Sequence, residues 1–149
     1  LFYELFDDEI DSLIKGCNVV SLEAGDYIFK EGDIGDEIFL ILTGGADVKK
    51  GDVKLVSLKK GDLFGEMVLL DERTRSADII ASTFTDVLVL SYDNIFGVFN
   101  KNPKIFSLLM LNLCRLLAKR LKYAGNDIKG LNAQISKLQS LHPSDEEAA

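Results

Sequence analysis

Residues 37–66, EIFLILTGGADVKKGDVKLVSLKKGDLFGE, alternate short apolar runs with glycine-containing turns. From Val19 to Leu90 the apolar residues follow a period of two, which is typical of β-strands. Six turns interrupt this region, and five of them contain Gly-Asp, in which glycine accepts a positive φ and aspartate can bond to its own backbone. Many short strands with frequent turns predict a mainly β domain, either a barrel or a jelly roll.

Helical periodicity flanks the strands on both sides. The spacing of apolar residues from Leu1 to Lys15 predicts an N-terminal helix with one buried face, and Gly16 is well placed to end it. After Tyr92 the helical period returns and continues to the end of the apolar pattern. We therefore expect a β-roll or jelly-roll barrel with an N-terminal helix and long C-terminal helices.

The C-terminal segment carries a heptad pattern that runs for four heptads. Its d positions are Met110, Leu117, Ala124, Leu131 and Leu138, and its a positions are Cys114, Leu121, Ile128 and Ile135. This pattern favours pairing with a second subunit over residues 121–138, although packing against the barrel would produce similar spacing nearer its start. Gly125 and Gly130 lie off the seam, so either one long helix or two shorter helices would fit.

The composition limits the class of protein. The chain has 149 residues, 47% of them hydrophobic, and a formal net charge of −7. That length is typical of one domain with a substantial core, and the acidic charge disfavours nucleic acid as a partner of this chain alone. No apolar run is long enough to span a membrane and no signal peptide precedes the first helix, so we expect a cytoplasmic protein without a membrane partner.

The sequence predicts three regions and no catalytic centre. We expect a folded domain over residues 1–124, an amphipathic helical extension over 125–141 and a disordered acidic tail over 142–149. The only histidine is His142, and Cys17 and Cys114 lie far apart, so no metal or cofactor site is expected. Ser76 has no histidine or lysine beside it to act as a base, which argues against an enzyme.

Residues 64–78, FGEMVLLDERTRSAD, combine groups suited to a sugar phosphate. A short helix after Gly65 would present backbone N–H groups to an anion, and Arg75 has the side chain best shaped for paired contacts with phosphate. Ser76 adds a hydroxyl donor, whereas the carboxylate of Glu66 suits a sugar hydroxyl. An ordinary surface salt bridge between Glu66 and Arg75 is the alternative, but the apolar residues flanking both predict partial burial.

This segment resembles the phosphate-binding cassette of cyclic nucleotide-binding domains. The family pattern is F-G-E-L-A-L, a short spacer and R-[AST]-A, and the matching residues here are Phe64–Leu70 and Arg75-Ser76-Ala77. Gly25, Gly32, Gly35 and Gly44 extend the likeness, which covers residues 1 to about 124. The resemblance implies a β-roll flanked by helices that binds a 3′,5′-cyclic nucleotide.

The resemblance also implies a role for each matching residue. Glu66 would bind the ribose 2′-hydroxyl, Arg75 the cyclic phosphate, and the amides of Met67, Val68 and Ser76 the remaining phosphate oxygens. The residues expected against the base and ribose are Val48, Leu55, Val56 and Leu63, with Arg120 or Leu121 capping the base. Ser76 favours cAMP over cGMP by this likeness. Asp78 departs from the family pattern, but it falls on the opposite side of an alternating strand from Arg75.

Two hypotheses of function follow. The first is a cyclic-nucleotide sensor, active as a homodimer, whose ligand changes the arrangement of the C-terminal helix. The second is an interaction module that binds no ligand, keeps the roll as a scaffold and dimerises through its C-terminal helix.

Overall fold

The structure is a computed structural model that describes residues 1–70 and 73–141. The chain divides into two compact units, Leu1–Leu109 and Met110–Ala149. The predicted disordered tail, residues 142–149, lies outside the described residues, and the predicted domain boundary at residue 124 stays a prediction.

The first unit contains eight strands, two helices and the start of a third. A 3₁₀ helix, Glu66–Leu70, follows the sixth strand and confirms the short helix predicted after Gly65. The strands are β1 (Asn18–Leu22), β2 (Tyr27–Phe29), β3 (Glu37–Thr43), β4 (Gly45–Lys50), β5 (Val53–Lys59), β6 (Leu63–Phe64), β7 (Asp78–Ala81) and β8 (Thr85–Ser91). The helices are α1 (Asp7–Ile14), α2 (Tyr92–Lys101) and α3 (Pro103–Leu141).

The strands form two antiparallel sheets of four strands each. Their orders are β1-β8-β3-β6 and β2-β7-β4-β5. Both sheets contribute buried residues to one cluster: Leu22, Phe39, Ile41, Ala46, Leu58, Phe64, Ile79, Ala81 and Val87. Two sheets that share a core between them, with helices outside, confirm the predicted mainly β roll.

The first sheet is buried on its other face too. Residues directly opposite each other on neighbouring strands share a face, and Leu40 lies opposite both Leu63 and Leu88, away from Phe39 and Phe64. Leu40, Leu63 and Leu88 are each at most 5% exposed, and α2 contacts β8. Helix α2 therefore packs on the outer face of this sheet.

Local capping sets where the helices begin. The Ser91 hydroxyl accepts a hydrogen bond from the Asn94 amide at 3.1 Å at the start of α2. The side chain of Asn102 accepts one from the Ile105 amide at 3.3 Å, and Pro103 occupies the first position of α3, where a missing N–H costs nothing. Helices α2 and α3 thus begin beside residues that favour the start of a helix.

The predicted N-terminal helix over Leu1–Lys15 is wrong for its first six residues. The helix begins at Asp7, and Glu4 has a positive φ of 65°. The amide of Phe6 donates to the Glu9 carboxylate at 3.0 Å, and three acidic residues fill the first turn, where they stabilise the positive end of a helix. The apolar residues among residues 1–6 have helix-like spacing. The capping contacts nevertheless start the helix only at Asp7.

Helix α3 runs without a break through Gly125 and Gly130 over 39 residues, so the one-helix alternative is confirmed. A Cβ added at either glycine would meet nothing within 4 Å. In the second unit, taken by itself, the exposed large apolar residues include most of the heptad seam: Leu117, Leu121, Ile128, Leu131, Ile135 and Leu138. Across the described part of the chain, no helix is both long and apolar enough to cross a bilayer.

Candidate functional site

The backbone around Arg75 is held by a neighbouring turn. Arg75 donates its N–H to the Asp33 carbonyl at 2.8 Å, and its own carbonyl accepts from the Gly32 amide at 2.8 Å. Ile34 and Thr74 form an isolated antiparallel bridge between the same two segments. These contacts fix the start of the Arg75 side chain relative to the turn at residues 32–35.

The Arg75 side chain is buried and already has an acidic partner. The residue is 7% exposed, and its Nη2 lies 3.1 Å from Oε2 of Glu37. Its Nη1 reaches the Gly65 carbonyl at 3.5 Å, a long contact. Among residues 1–70 and 73–141, these two contacts use two of the five N–H donors of the guanidinium.

Three phenylalanine rings form an aromatic wall beside the guanidinium. The ring centres of Phe39 and Phe64 lie 5.3 Å apart and stack, and Phe29 lies 5.7 Å from Phe39 and 5.9 Å from Phe64. The guanidinium carbon of Arg75 is 4.4 Å from the centre of Phe29 and 5.6 Å from that of Phe39. Cation–π attraction of this kind is worth about 2 kcal/mol when desolvated, so the rings hold the guanidinium as well as shield it.

Two glycines make room for Arg75. A Cβ on Gly35 would lie 2.5 Å from Arg75 Nη2 and 2.9 Å from the Glu37 carboxylate. A Cβ on Gly65 would lie 3.0 Å from Arg75 Nη1, and Gly65 also has a φ of +79°, a conformation that other residues adopt at a cost. Any side chain at either position would displace the guanidinium.

Burial and nearby acidic residues have opposite effects on the pKa of Arg75. Burial lowers the pKa of its guanidinium, because the charged form loses hydration. The carboxylates of Glu37, Asp36 and Asp33 act in the opposite direction, Glu37 most strongly, but the pKa stays below its ordinary value. The side chain therefore stays a cation that requires an anionic neighbour.

The other residues of the cassette precede or follow Arg75 in the chain. The Val68 amide points to the Gly65 carbonyl at 3.5 Å, and Val68 is buried, whereas Met67 is exposed. Glu66 is half-buried at the first position of the 3₁₀ helix. After Arg75, the exposed Ser76 and the buried Ala77 lead into β7.

Asp78 is engaged elsewhere. Its Oδ1 accepts a hydrogen bond from the Glu31 backbone amide at 2.7 Å. The ion pair of Arg75 is with Glu37, which the sequence analysis did not single out. Asp78 thus supports the neighbouring turn.

The four residues predicted against the base and ribose do not share one surface. Val48 lies directly opposite both Val56 and Ile79 and packs against the inner core cluster. Val56 therefore lies on the inner face as well, although Val56 is half exposed. Leu55 is exposed where the pairing of β4 and β5 shifts register. Leu63 is buried on the outer face of the first sheet, opposite Leu40, so the structure does not bring it to the same face as Phe64.

The predicted base-capping residues belong to the second unit. Arg120 is partly exposed and Leu121 is 75% exposed, both on α3. Their role stays a prediction.

Sequence reasoning missed three contributors to the Arg75 environment: Glu37, Phe29 and Phe39. Both phenylalanines carried only the signal of apolar strand residues, and Glu37 carried none, because its contact with Arg75 spans 38 positions. Gly35 was recognised as a turn residue, but its closeness to the guanidinium depends on the fold.

The profile of one family, described as "Cyclic nucleotide-binding domain", matches residues 19–102. The chain belongs to the cyclic nucleotide-binding domain family. That stretch covers more than half of the chain and contains both sheets with the Arg75 site, which confirms the resemblance seen in the sequence.

Relatives of this cyclic nucleotide-binding domain occur in larger proteins. The cyclic AMP receptor protein of Thermus thermophilus is 33% identical over 92% of this chain and 64% of its own length. Glutaminase 2 of Bradyrhizobium diazoefficiens is 35% identical over 89% of this chain, which spans only 21% of that protein. The crystal structure of a cyclic nucleotide-binding domain from Methylobacillus flagellatus KT superposes with a TM-score of 0.79 at 28% identity, covering 87% of this chain and 76% of the other.

Domains of this family are typically regulatory rather than catalytic, and the glutaminase match covers only part of that enzyme. Among residues 1–70 and 73–141, no group of three or more His, Cys, Asp or Glu side chains is arranged to hold a metal ion.

Proposed function

We propose that this domain is a sensor that binds a 3′,5′-cyclic nucleotide, with cAMP preferred, through residues 64–78. The observation that carries the proposal is the Arg75 guanidinium, buried against Phe29 and flanked by Gly35 and Gly65, in a member of the cyclic nucleotide-binding family. Its relative in Thermus thermophilus is named a cyclic AMP receptor protein.

The physical argument concerns the charge of the ligand. A cyclic phosphate carries one negative charge and presents acceptor oxygens to the donors that Arg75 retains. A charged hydrogen bond is worth about 1.5–3 kcal/mol, more than a neutral one, because the full charge strengthens the attraction between donor and acceptor. Glycine at positions 35 and 65 leaves the space that the guanidinium occupies beside the cassette.

The remaining contacts follow from the family motif. Glu66 accepts a hydrogen bond from the ribose 2′-hydroxyl, and the amides of Met67, Val68 and Ser76 bind phosphate oxygens. The half-exposed Val56, with Val48 beside it, provides an apolar surface for the base and ribose. Arg120 or Leu121 of α3 caps the base.

Ser76 bears on the choice between the two nucleotides. The family favours cGMP with threonine after the cassette arginine and cAMP with small residues there, and the exposed serine of this chain fits cAMP better. cGMP is the alternative ligand.

Binding is coupled to α3, which also forms a homodimer. The exposed seam has Ile128 and Ile135 at a positions and Leu131 and Leu138 at d positions, a choice that favours two parallel strands in a coiled coil. Nucleotide binding at the cassette selects one arrangement of α3, and the paired helices carry that change to the second subunit.

Isothermal titration calorimetry with cAMP and cGMP tests the proposal. Arg75→Ala should weaken binding at least tenfold, which corresponds to about 1.4 kcal/mol. Arg73→Ala is the matched control, since it removes the same charge from an exposed position two residues away. Equal affinity in wild type and Arg75→Ala, or equal losses in both variants, would refute the assignment.

The ion pair between Arg75 and Glu37 favours a second candidate function. If this internal acid satisfies the arginine by itself, the roll is a scaffold that binds no ligand and acts through α3. A thermal-shift measurement separates the two candidates, because a ligand at 100 times its Kd stabilises a binder by about 2.7 kcal/mol, or roughly 5–10 °C. A scaffold would show no shift with cAMP or cGMP.

A further inference from the structure

We infer that Glu37 is an internal counter-anion that occupies Arg75 in the nucleotide-free domain, competes with the cyclic phosphate for it and so lowers the nucleotide affinity. This inference rests on the proposed function. It assigns to Glu37 a regulatory role that acts on nucleotide binding through Arg75.

The two partners differ in their access to solvent. The side chain of Arg75 is 6% exposed, whereas that of Glu37 is 39% exposed. The arginine is held between the Phe29 ring and the glycines, so it cannot leave for water without losing those contacts. The carboxylate can, because its outer part already faces solvent. Of the two, Glu37 is therefore the partner free to move.

The Glu37 carboxylate also has a second donor nearby. Its Oε2 accepts from the Asp36 amide at 3.2 Å as well as from Arg75. Glu37 stands at the start of β3, where its backbone pairs with Ser91, so the main chain is fixed while the side chain can change rotamer. Losing Arg75 would leave the carboxylate with the Asp36 amide and water, both of which stabilise its charge.

The charge of Glu37 has opposite effects in the nucleotide-free and the nucleotide-bound domain. A buried arginine without an anion is strongly disfavoured, so Glu37 stabilises the domain when no nucleotide is present. When a phosphate contacts the same guanidinium, two negative groups converge on one cation and repel each other. The charge of Glu37 therefore favours the free state, and by linkage it reduces affinity.

The substitution Glu37→Gln tests this relation because it keeps the size and an acceptor oxygen while removing the charge. We expect the melting temperature without nucleotide to fall and cAMP affinity, measured by calorimetry in the same buffer, to rise about three- to tenfold. A role limited to holding Arg75 in place would lower stability and affinity together, so the opposite signs are diagnostic.

The control is Glu31→Gln, which makes the same change of charge at an exposed glutamate paired with Lys50 at 3.6 Å. It should leave cAMP affinity within about twofold of wild type. Unchanged or weaker binding by Glu37→Gln, with wild type binding normally, would overturn this inference alone. Failure of the wild-type protein to bind any cyclic nucleotide would instead refute the proposed function.

A second variant keeps the test decisive if Glu37→Gln does not fold. Glu37→Asp retains the charge but withdraws the carboxylate from Nη2 by about one bond. We expect it to bind cAMP about two- to threefold more tightly than wild type, because the internal contact is weakened. Affinity equal to or below that of wild type would contradict the proposed competition.

Discussion

The guanidinium carbon of Arg75 lies 4.4 Å from the centre of the Phe29 ring, which covers one side of a cation that is otherwise enclosed by protein. This contact helps to hold the guanidinium in place. Glu37 accepts a hydrogen bond from its Nη2 at 3.1 Å. In the nucleotide complex that we propose, an arginine held in this way would lose less entropy on binding than a free side chain.

Gly65 should contribute to the stability of the domain through its backbone conformation and the space beside it. In Gly65→Ala, the positive φ costs about 1–2 kcal/mol, and the added Cβ would crowd Arg75 Nη1 and the Glu37 carbonyl, each at 3.0 Å. Gly61→Ala is the control, since Gly61 has a φ of +87° but nothing within 4 Å of an added Cβ. We expect chemical denaturation to show a loss about 1–3 kcal/mol larger for Gly65→Ala; equal losses would mean that crowding is absent.

The role of Glu66 can be isolated with a modified ligand. Wild type should bind 2′-deoxy-cAMP less tightly than cAMP by about tenfold, because the carboxylate loses its hydroxyl donor. Glu66→Ala should bind both nucleotides with the same reduced affinity, and the double-mutant cycle from calorimetry measures the coupling. A persistent preference for cAMP in Glu66→Ala would assign the ribose contact to another residue.

The seam of α3 should determine the oligomeric state. The double substitution Ile128→Asp and Ile135→Asp places charges in the proposed interface, and sedimentation should show a shift from dimer to monomer. Its matched control is Asn126→Asp with Ala133→Asp, which adds the same charges with the same spacing at exposed positions away from the seam. A monomeric wild type, or a dimer that survives the seam substitutions, would disprove this mode of pairing.

Glu9, in the first turn of α1, should make the stability of the domain depend on pH. Its hydrogen bond from the Phe6 amide, and then that from Lys104 Nζ at 3.0 Å, lower the pKa of the Glu9 carboxyl below its ordinary value of 4.5. Because the folded state binds this proton less readily, the stabilisation is present above pH 4.5 and is lost as the pH falls through the folded pKa.

Thermal melting of Glu9→Gln from about pH 7 to about pH 3 checks this expectation. The variant should melt below wild type at neutral pH, and the difference should narrow in acid. Asp11→Asn, which changes the net charge equally on the same helix, controls for general charge effects. A difference that stays constant throughout the acid range would show that the carboxylate contributes nothing through its charge.

Local patterns in the chain were enough to predict the class of fold and to identify the cassette. Period-two strands, Gly-Asp turns and the heptad seam depend on residues a few positions apart, and so does the motif of residues 64–78; such patterns are visible in the chain. The start of α1 was placed six residues too early, because apolar spacing continued upstream of the Phe6–Glu9 capping contact that begins the helix.

The surroundings of Arg75 are visible only in the folded chain. Glu37 lies 38 positions away in the chain, and Phe29 and Gly35 come from other parts of the roll. The fold also places Leu63 and Phe64 on different faces, because neighbouring residues of one strand face opposite sides of a sheet. Which of the two sides meets the site is known only from the packing. Long-range pairing of this kind follows from how two sheets close on each other, and no local pattern encodes it.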